Sequence, residues 1–128
     1  IDELFIKYVT NNEDLFSSKL YLSIEEIKEM IENNMYIGSH TFSHQWLTSL
    51  SEQELKKEIS MSLKFLNNFS QKESPIMCYP YGNYNDQIIS KLKESGFKAG
   101  FTTKVEDARI TEYNAFSLSR YDTNDFPQ

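Results

Sequence analysis

The sequence predicts an α/β fold in which mostly parallel strands form a sheet and helices pack over it. Three observations carry this prediction: short apolar runs alternate with amphipathic segments, two of these segments begin with a capping box, and polar turns separate them. With 128 residues, 39% apolar and 14% aromatic, the chain is long enough to bury a core. We therefore predict one domain over residues 1–128.

The first third of the chain is predicted to contain a strand, a loop and a helix. Residues 4–9 are apolar and rich in aromatic and β-branched side chains, which favours a buried strand. Residues 10–20 are polar and are interpreted as a loop. A capping box at Ser23 and Glu26 begins a helix, which Asn33 and Asn34 end.

The rest of the chain continues the alternation. A second capping box, at Ser51 and Glu54, begins a helix that ends near Phe69, and Asn85 caps the last helix, which stops at Gly96. Strands are predicted at 36–38, 76–79, 98–102 and 116–118. The charged side chains of the helix after Ser51 are interpreted as a solvated face: Lys56, Lys57, Glu58 and Lys64.

Two unusual stretches follow predicted strands. The only two histidines, His40 and His44, lie four residues apart, and 80–83 is a turn by composition. If the histidines share a helical turn, both imidazoles project from one face, and imidazole is a good ligand for a divalent metal such as zinc. Two ligands do not make a zinc site, so a merely exposed pair is the alternative. Both stretches are expected at the carboxyl rim of the sheet, where function gathers.

Composition excludes several classes of function. The net charge of −6, with no run of Lys or Arg, argues against general nucleic-acid binding. No apolar run approaches the roughly 20 residues of a membrane span. The single cysteine, Cys78, excludes an internal disulfide and is interpreted as a small buried apolar residue.

The motifs together resemble the polysaccharide deacetylase family, the NodB-like carbohydrate esterases. Residues 40–44, His-Thr-Phe-Ser-His, are similar to the family's metal motif His-Ser/Thr-x-x-His, and 79–82, Tyr-Pro-Tyr-Gly, resemble the next motif of a "YPYG" branch. Residues 96–102 are similar to a late helix-to-strand passage, and 118–121 to an arginine-containing strand end. The resemblance covers about 4–121 and implies a partial (β/α) barrel, the C-terminal part of a deacetylase domain.

The resemblance also implies a chemistry. The family removes an N-acetyl or O-acetyl group from a sugar or polysaccharide, with the help of a divalent metal held by an aspartate and the two motif histidines. By position, these are His40 and His44, and the metal would be zinc, cobalt or nickel. The backbone N–H of Tyr81 would hold the oxyanion, and Arg120 would orient the base. The implied substrate-binding residues are Tyr79, Pro80, Tyr81 and Trp46.

Each of these residues also has a purely structural interpretation. Tyr79 and Tyr81 could pack the turn between strand and helix. Trp46 could belong to the core, and Arg120 could pair with an aspartate on the surface. The sequence leaves these alternatives open.

The chain departs from the family pattern in ways that bear on activity. It has no Asp-Asp pair, and no histidine follows His44, so the third ligand, the general base and the general acid are not visible. Asp86 and Asp122 are candidates for a substitute ligand. A full barrel needs about 200 residues or more. We expect the chain alone to have little or no esterase activity. Its open edge is expected to be covered by an upstream segment, a second copy or a local rearrangement. The alternative is a catalytically inactive carbohydrate-binding or interaction module.

Overall fold

The computed structural model describes residues 2–69 and 74–126. Its contacts divide the chain into two compact units, Ile1–Ile37 and Gly38–Gln128, and each is described by itself. The prediction of one domain over 1–128 stays a prediction.

The first unit is helical. Helix α1 spans Asp2–Tyr8, α2 spans Glu13–Leu20 and α3 spans Ile24–Glu32. The capping box that was predicted for α3 is confirmed, because the hydroxyl of Ser23 accepts the Glu26 N–H and the Glu26 carboxylate accepts the Ser23 N–H.

The strand predicted at 4–9 and the loop predicted at 10–20 are both wrong. The first segment lies in α1 and the second holds α2. A short apolar run does not distinguish strand from helix by periodicity alone, and here a ring contact between Phe5 and Phe16 joins the two helices at 5.5 Å. The polar residues of 10–20 act as helix-starting groups, since the side chain of Asn12 accepts the Leu15 N–H.

The second unit contains a small parallel sheet. Strand β1 is Ile76–Cys78 and β2 is Ala99–Phe101, with Met77 opposite Gly100. Single parallel bridges extend the sheet on both sides, from Ser39 to Met77 and from Phe101 to Leu118. The predicted strands at 76–79 and 98–102 are thus confirmed in shorter form, and the one at 116–118 is reduced to a bridge. Residues 36–38 form no strand, and pairing begins at Ser39.

Two helices of this unit begin where the sequence predicts. Helix α4 spans Glu52–Leu66, with the Ser51 capping box in place, and a short 3₁₀ turn follows it. Helix α5 spans Asp86–Glu94, and the Asn85 side chain accepts the N–H of Ile88. The α/β class is therefore confirmed as a helix-rich chain with a small parallel sheet.

The core of the second unit lies between this sheet and its helices. Its fully buried members come from β1, α4, α5 and the segments beside them: Leu47, Leu55, Ile59, Met77, Tyr79, Ile88, Leu92 and Phe97. The Tyr79 ring packs against the backbone of Gly100, and its hydroxyl donates to the Phe116 carbonyl at 2.8 Å. A Cβ at position 100 would lie 2.8 Å from two ring carbons of Tyr79, so only glycine fits there without displacement.

We predict that Gly100→Ala lowers the free energy of unfolding by about 1–3 kcal/mol, because the added methyl overpacks the site against Tyr79. Urea unfolding followed by circular dichroism measures the change. Tyr79→Phe removes the oxygen that lies nearest to the added methyl. The double variant should therefore lose less free energy of unfolding than the sum of the two single losses, and strict additivity would contradict the prediction.

Candidate metal and substrate site

The histidine motif lies on a loop and not on a helical turn. Thr41 and His44 have positive φ angles of 64° and 56°, so the backbone enters the left-handed region at two positions within the motif. The loop still brings the two imidazoles together, with the ring centroids of His40 and His44 4.7 Å apart and the planes at 62°. The two histidines do not share a helical turn, but their imidazoles still lie side by side, as such a turn would have placed them.

The His40 ring is anchored through one nitrogen. Its Nδ1 lies 2.7 Å from the carbonyl oxygen of Cys78, at the end of β1. A carbonyl only accepts, so Nδ1 carries the proton and the Nε2 lone pair is left for another partner. An imidazole whose second nitrogen donates to a backbone carbonyl is typical of metal-ligating histidines.

Helix α4 supports this loop through a residue that sequence reasoning misassigned. The interpretation of Glu58 as part of a solvated face is wrong, because Glu58 is only 8% exposed. Its carboxylate accepts the N–H groups of Phe42 and Ser43, at 3.1 and 2.8 Å, and the Ser43 hydroxyl. Burial disfavours the charged form, but the bonds from Ser43 and Phe42 outweigh it and lower the pKa of Glu58.

Four aromatic side chains form a continuous row at the rim, which we call the ring row: His40, His44, Tyr81 and Trp46. His44 and Tyr81 have centroids 4.8 Å apart, and Tyr81 stacks on Trp46 at 4.5 Å with planes at 6°. Tyr81 is 52% exposed and Trp46 51%, so Trp46 is not a core residue. The row therefore joins the two histidines to an open aromatic surface.

The turn that carries Tyr81 is held on both sides. Tyr81 itself has φ 58°, and the next residue, Gly82, lies against Thr103 so closely that a Cβ there would meet the Thr103 Cβ at 3.0 Å. The side chain of Asn83 accepts the N–H of Thr48, which belongs to the segment after the histidine motif. The two stretches predicted to share a rim therefore do so.

The other two residues of the predicted substrate-binding motif face inward. Tyr79 is 1% exposed and stacks on Tyr84, and Pro80 is fully buried. Of the two interpretations left open for Tyr79, the structure supports packing. A substrate contact through the side chains of Tyr79 and Pro80 stays a prediction, and their burial argues against it.

Arg120 follows the bridge at Leu118 and braces the neighbouring segment. Its Nε donates to the Thr102 carbonyl at 3.0 Å, and its backbone N–H donates to the Lys104 carbonyl. Over the parts of the chain that the structure describes, Arg120 forms no ion pair. The backbone N–H of Asn124 and, to a smaller extent, the positive charge of Arg120 lower the pKa of Asp122. The surface-pair interpretation therefore holds only as a longer-range attraction, and a role in orienting a base stays a prediction.

Cys78 is half-buried at the end of β1. Burial raises the pKa of its thiol, and the positive charge of Arg120 only partly offsets this. The thiol is therefore a poor nucleophile at neutral pH, in line with the interpretation of Cys78 as a packing residue.

The described residues place two candidate metal ligands together, His40 and His44, but not a complete set. Among 2–69 and 74–126, no group of three or more His, Cys, Asp or Glu side chains is placed to hold an ion. Asp86 opens α5, and Asp122 caps a 3₁₀ turn by accepting the Asn124 N–H. Neither completes a three-ligand group with His40 and His44, so their proposed substitution for the missing ligand is wrong. The carbonyl-anchored His40 beside His44 nonetheless fits a divalent metal.

Comparison with known proteins identifies what this arrangement is similar to. The family model described as Polysaccharide deacetylase matches residues 7–100. YxkH of Bacillus subtilis (strain 168), a protein assigned to the polysaccharide deacetylases, is 33% identical over 67% of this chain and 31% of its own length. The poly-beta-1,6-N-acetyl-D-glucosamine N-deacetylase of Staphylococcus aureus is 28% identical over 77% of this chain and 37% of its own.

Solved structures of deacetylases are also similar to this chain. The Streptococcus pyogenes deacetylase PplD, determined in complex with acetate, superposes with a TM-score of 0.74 and 27% identity, over 82% of this chain and 46% of PplD. A polysaccharide deacetylase from Bacillus cereus gives 0.67 and 25%, over 77% of this chain and 31% of that one. The chain spans about a third of the length of the curated relatives it matches. No helix in the described parts of the chain is long and apolar enough to cross a membrane.

We predict that Cys78 reacts with iodoacetamide through a pH profile displaced upward from that of the unfolded chain. Because burial raises the pKa of the thiol, the thiolate forms at higher pH in the native protein. The midpoint of the profile reports the pKa, whereas access changes only the plateau. Cys78 is the only cysteine, so the same chain in urea is the control. A native midpoint at or below the unfolded one would contradict the prediction.

Proposed function

Because this chain belongs to the polysaccharide deacetylase family, we propose that it forms the histidine-bearing part of an enzyme that hydrolyses the acetyl amide of an acetylated amino-sugar polysaccharide. The observation that carries the proposal is the pair His40 and His44, adjacent at 4.7 Å, with the His40 Nδ1 fixed on a carbonyl. O-acetylated sugars are the second substrate class that the same chemistry would serve.

The family generally depends on a metal ion, and His40 and His44 are the residues that would hold it. Zinc, or else cobalt or nickel, would act there as a Lewis acid and as a source of nucleophilic water. His40 would bind through Nε2, because its Nδ1 is engaged with Cys78. The chain's own contribution is thus to present two imidazoles in a fixed relation.

Tyr81 and Trp46 are proposed to hold the sugar. Their stacked, half-exposed faces continue the ring row directly from His44, so a sugar ring on them would lie beside the histidines. The Tyr81 backbone N–H would donate to the oxygen that becomes negative during amide cleavage. Arg120 would orient a carboxylate base.

The remaining groups are proposed to come from outside the described residues. The third ligand would be a carboxylate. A segment outside the described residues, or another chain, would supply this carboxylate together with the base and the acid. No group of three metal-ligating side chains occurs in 2–69 and 74–126, and no histidine follows His44 in the sequence. On this proposal, the chain of 128 residues alone releases little acetate.

We predict that zinc, added to the purified chain at neutral pH, binds only weakly, at one ion per chain, because the described residues place only two candidate ligands together, and that His40→Ala/His44→Ala abolishes this weak binding. Calorimetry measures the titration, and circular dichroism checks that the double variant stays folded. Asp122→Asn is the control that should leave binding unchanged, because Asp122 forms no ligand group with the histidines. Zinc binding that survives in the double variant would contradict the metal role, and vigorous metal-dependent acetate release by this chain alone would contradict the missing base and acid.

We also predict that the fluorescence of Trp46, the only tryptophan, changes when N-acetylglucosamine oligosaccharides bind. Tyr81→Ala should weaken their binding about fivefold to tenfold, since a lost aromatic stacking contact is worth about 1 kcal/mol. Tyr113→Ala is the matched control, because Tyr113 is 92% exposed and makes no ring contact with the ring row. Equal affinity of all three proteins would exclude the ring row as the sugar surface.

A further inference from the structure

Glu58 lies on helix α4, and its carboxylate is buried, although a charged side chain on a helix is usually exposed to solvent. This carboxylate is buried beneath the histidine loop and accepts two backbone N–H groups and a hydroxyl, all from the adjacent residues Phe42 and Ser43. A buried carboxylate is stable only when its oxygens are satisfied in this way. The hydrogen bonds of the Glu58 carboxylate therefore all go to the segment between the two histidines.

A second residue of α4 repeats the arrangement one turn further on. The hydroxyl of Ser39 donates to Ser62 at 3.1 Å, and both side chains are buried. Ser62 follows Glu58 by four residues, so the two share one face of the helix. Each histidine thus directly follows a serine that α4 holds: Ser39 before His40, and Ser43 before His44.

The backbone between these contacts needs such support. Thr41 and His44 both occupy the left-handed region, with φ 64° and 56°, which residues with a Cβ adopt at a cost. The N–H groups that donate to Glu58 belong to Phe42 and Ser43, which lie between these two positions. A loop with this conformation persists only when the surroundings determine it.

We propose that Glu58 is a positioning residue for the histidine pair: its carboxylate gathers the Phe42 and Ser43 N–H groups and thereby sets the separation and orientation of the His40 and His44 rings. Glu58 touches neither imidazole in its hydrogen bonds and acts through the loop. The importance of this positioning for catalysis rests on the proposed function, but the positioning itself does not require a metal.

The test uses the full chain without metal, in EDTA at pH 7.5. Long-range ¹H–¹⁵N spectra report the tautomer of each imidazole, and a ring-to-ring NOE reports the 4.7 Å contact. With only two histidines, one His44→Ala variant assigns both sets of ring signals. The wild-type chain should show the NOE and a protonated Nδ1 for His40.

Glu58→Leu keeps the bulk of the side chain and removes its acceptors, so it should abolish the NOE and return His40 to the mixed tautomers of a free imidazole. Glu58→Gln should keep both signatures, because the amide oxygen still accepts the two N–H groups and the amide N–H₂ meets the Ser43 hydroxyl. Glu54→Leu is the matched control. It removes the capping-box carboxylate of the same helix, so it should lower the melting temperature and leave both signatures intact.

The proposal is overturned if Glu58→Leu retains the NOE and the tautomer, or if Glu54→Leu loses them equally. Should Glu58→Leu fail to fold, Glu58→Met replaces it. Its flexible side chain fills the same space but offers the Phe42 and Ser43 N–H groups only a weak thioether acceptor, so it should weaken the NOE, and an unchanged NOE would overturn the proposal.

Zinc titration separates this proposal from the proposed function. If the wild-type chain binds zinc, Glu58→Leu should lower its affinity about tenfold to a hundredfold, as loss of an orienting partner does. Unchanged zinc affinity in Glu58→Leu would overturn the positioning role. A wild-type chain that binds no zinc counts against the proposed function alone, because the ring signatures are measured without metal.

Discussion

The second unit depends on the pairing of one residue, Met77, on both of its sides. Met77 lies opposite Gly100 in β2 and is bridged to Ser39 on its other edge, and it is fully buried. Because all of these pairings are parallel, the chain segments leave the sheet at the same rim. The histidine motif, the turn after β1 and the segment before Arg120 are neighbours for this reason. A shift of one residue in this register would separate them.

The sheet is too small to shape the site alone, and α4 supplies the rest. This helix contributes Leu55 and Ile59 to the core. Its Ser62 accepts from Ser39, and its Glu58 accepts from the loop that follows Ser39. The helix therefore packs the sheet and braces the site at once. Its capping box at Ser51 fixes where the helix begins.

Local chemistry was predictable from the sequence, and tertiary choices were not. The caps at Ser23, Ser51 and Asn85 were found because each involves residues within three positions of one another. The segment 4–9 was misassigned because its composition suits a buried strand and a helix equally. Glu58 was missed because a charged residue beside lysines on an amphipathic helix looks solvated, and nothing local records the N–H groups above it. The sequence correctly indicates that the two histidines lie together, but it suggests a helical turn where the backbone is left-handed at Thr41 and His44.

The contact between Gly82 and Thr103 has a consequence for how the rim moves. The turn that presents Tyr81 rests on the segment 102–104, and Arg120 is bonded to both ends of that segment. A displacement of this turn would therefore also displace the segment 102–104 and Arg120, so these parts of the rim would move together as one rigid body. Such a body loses little conformational freedom when a ligand arrives, and more of the contact energy is retained as affinity.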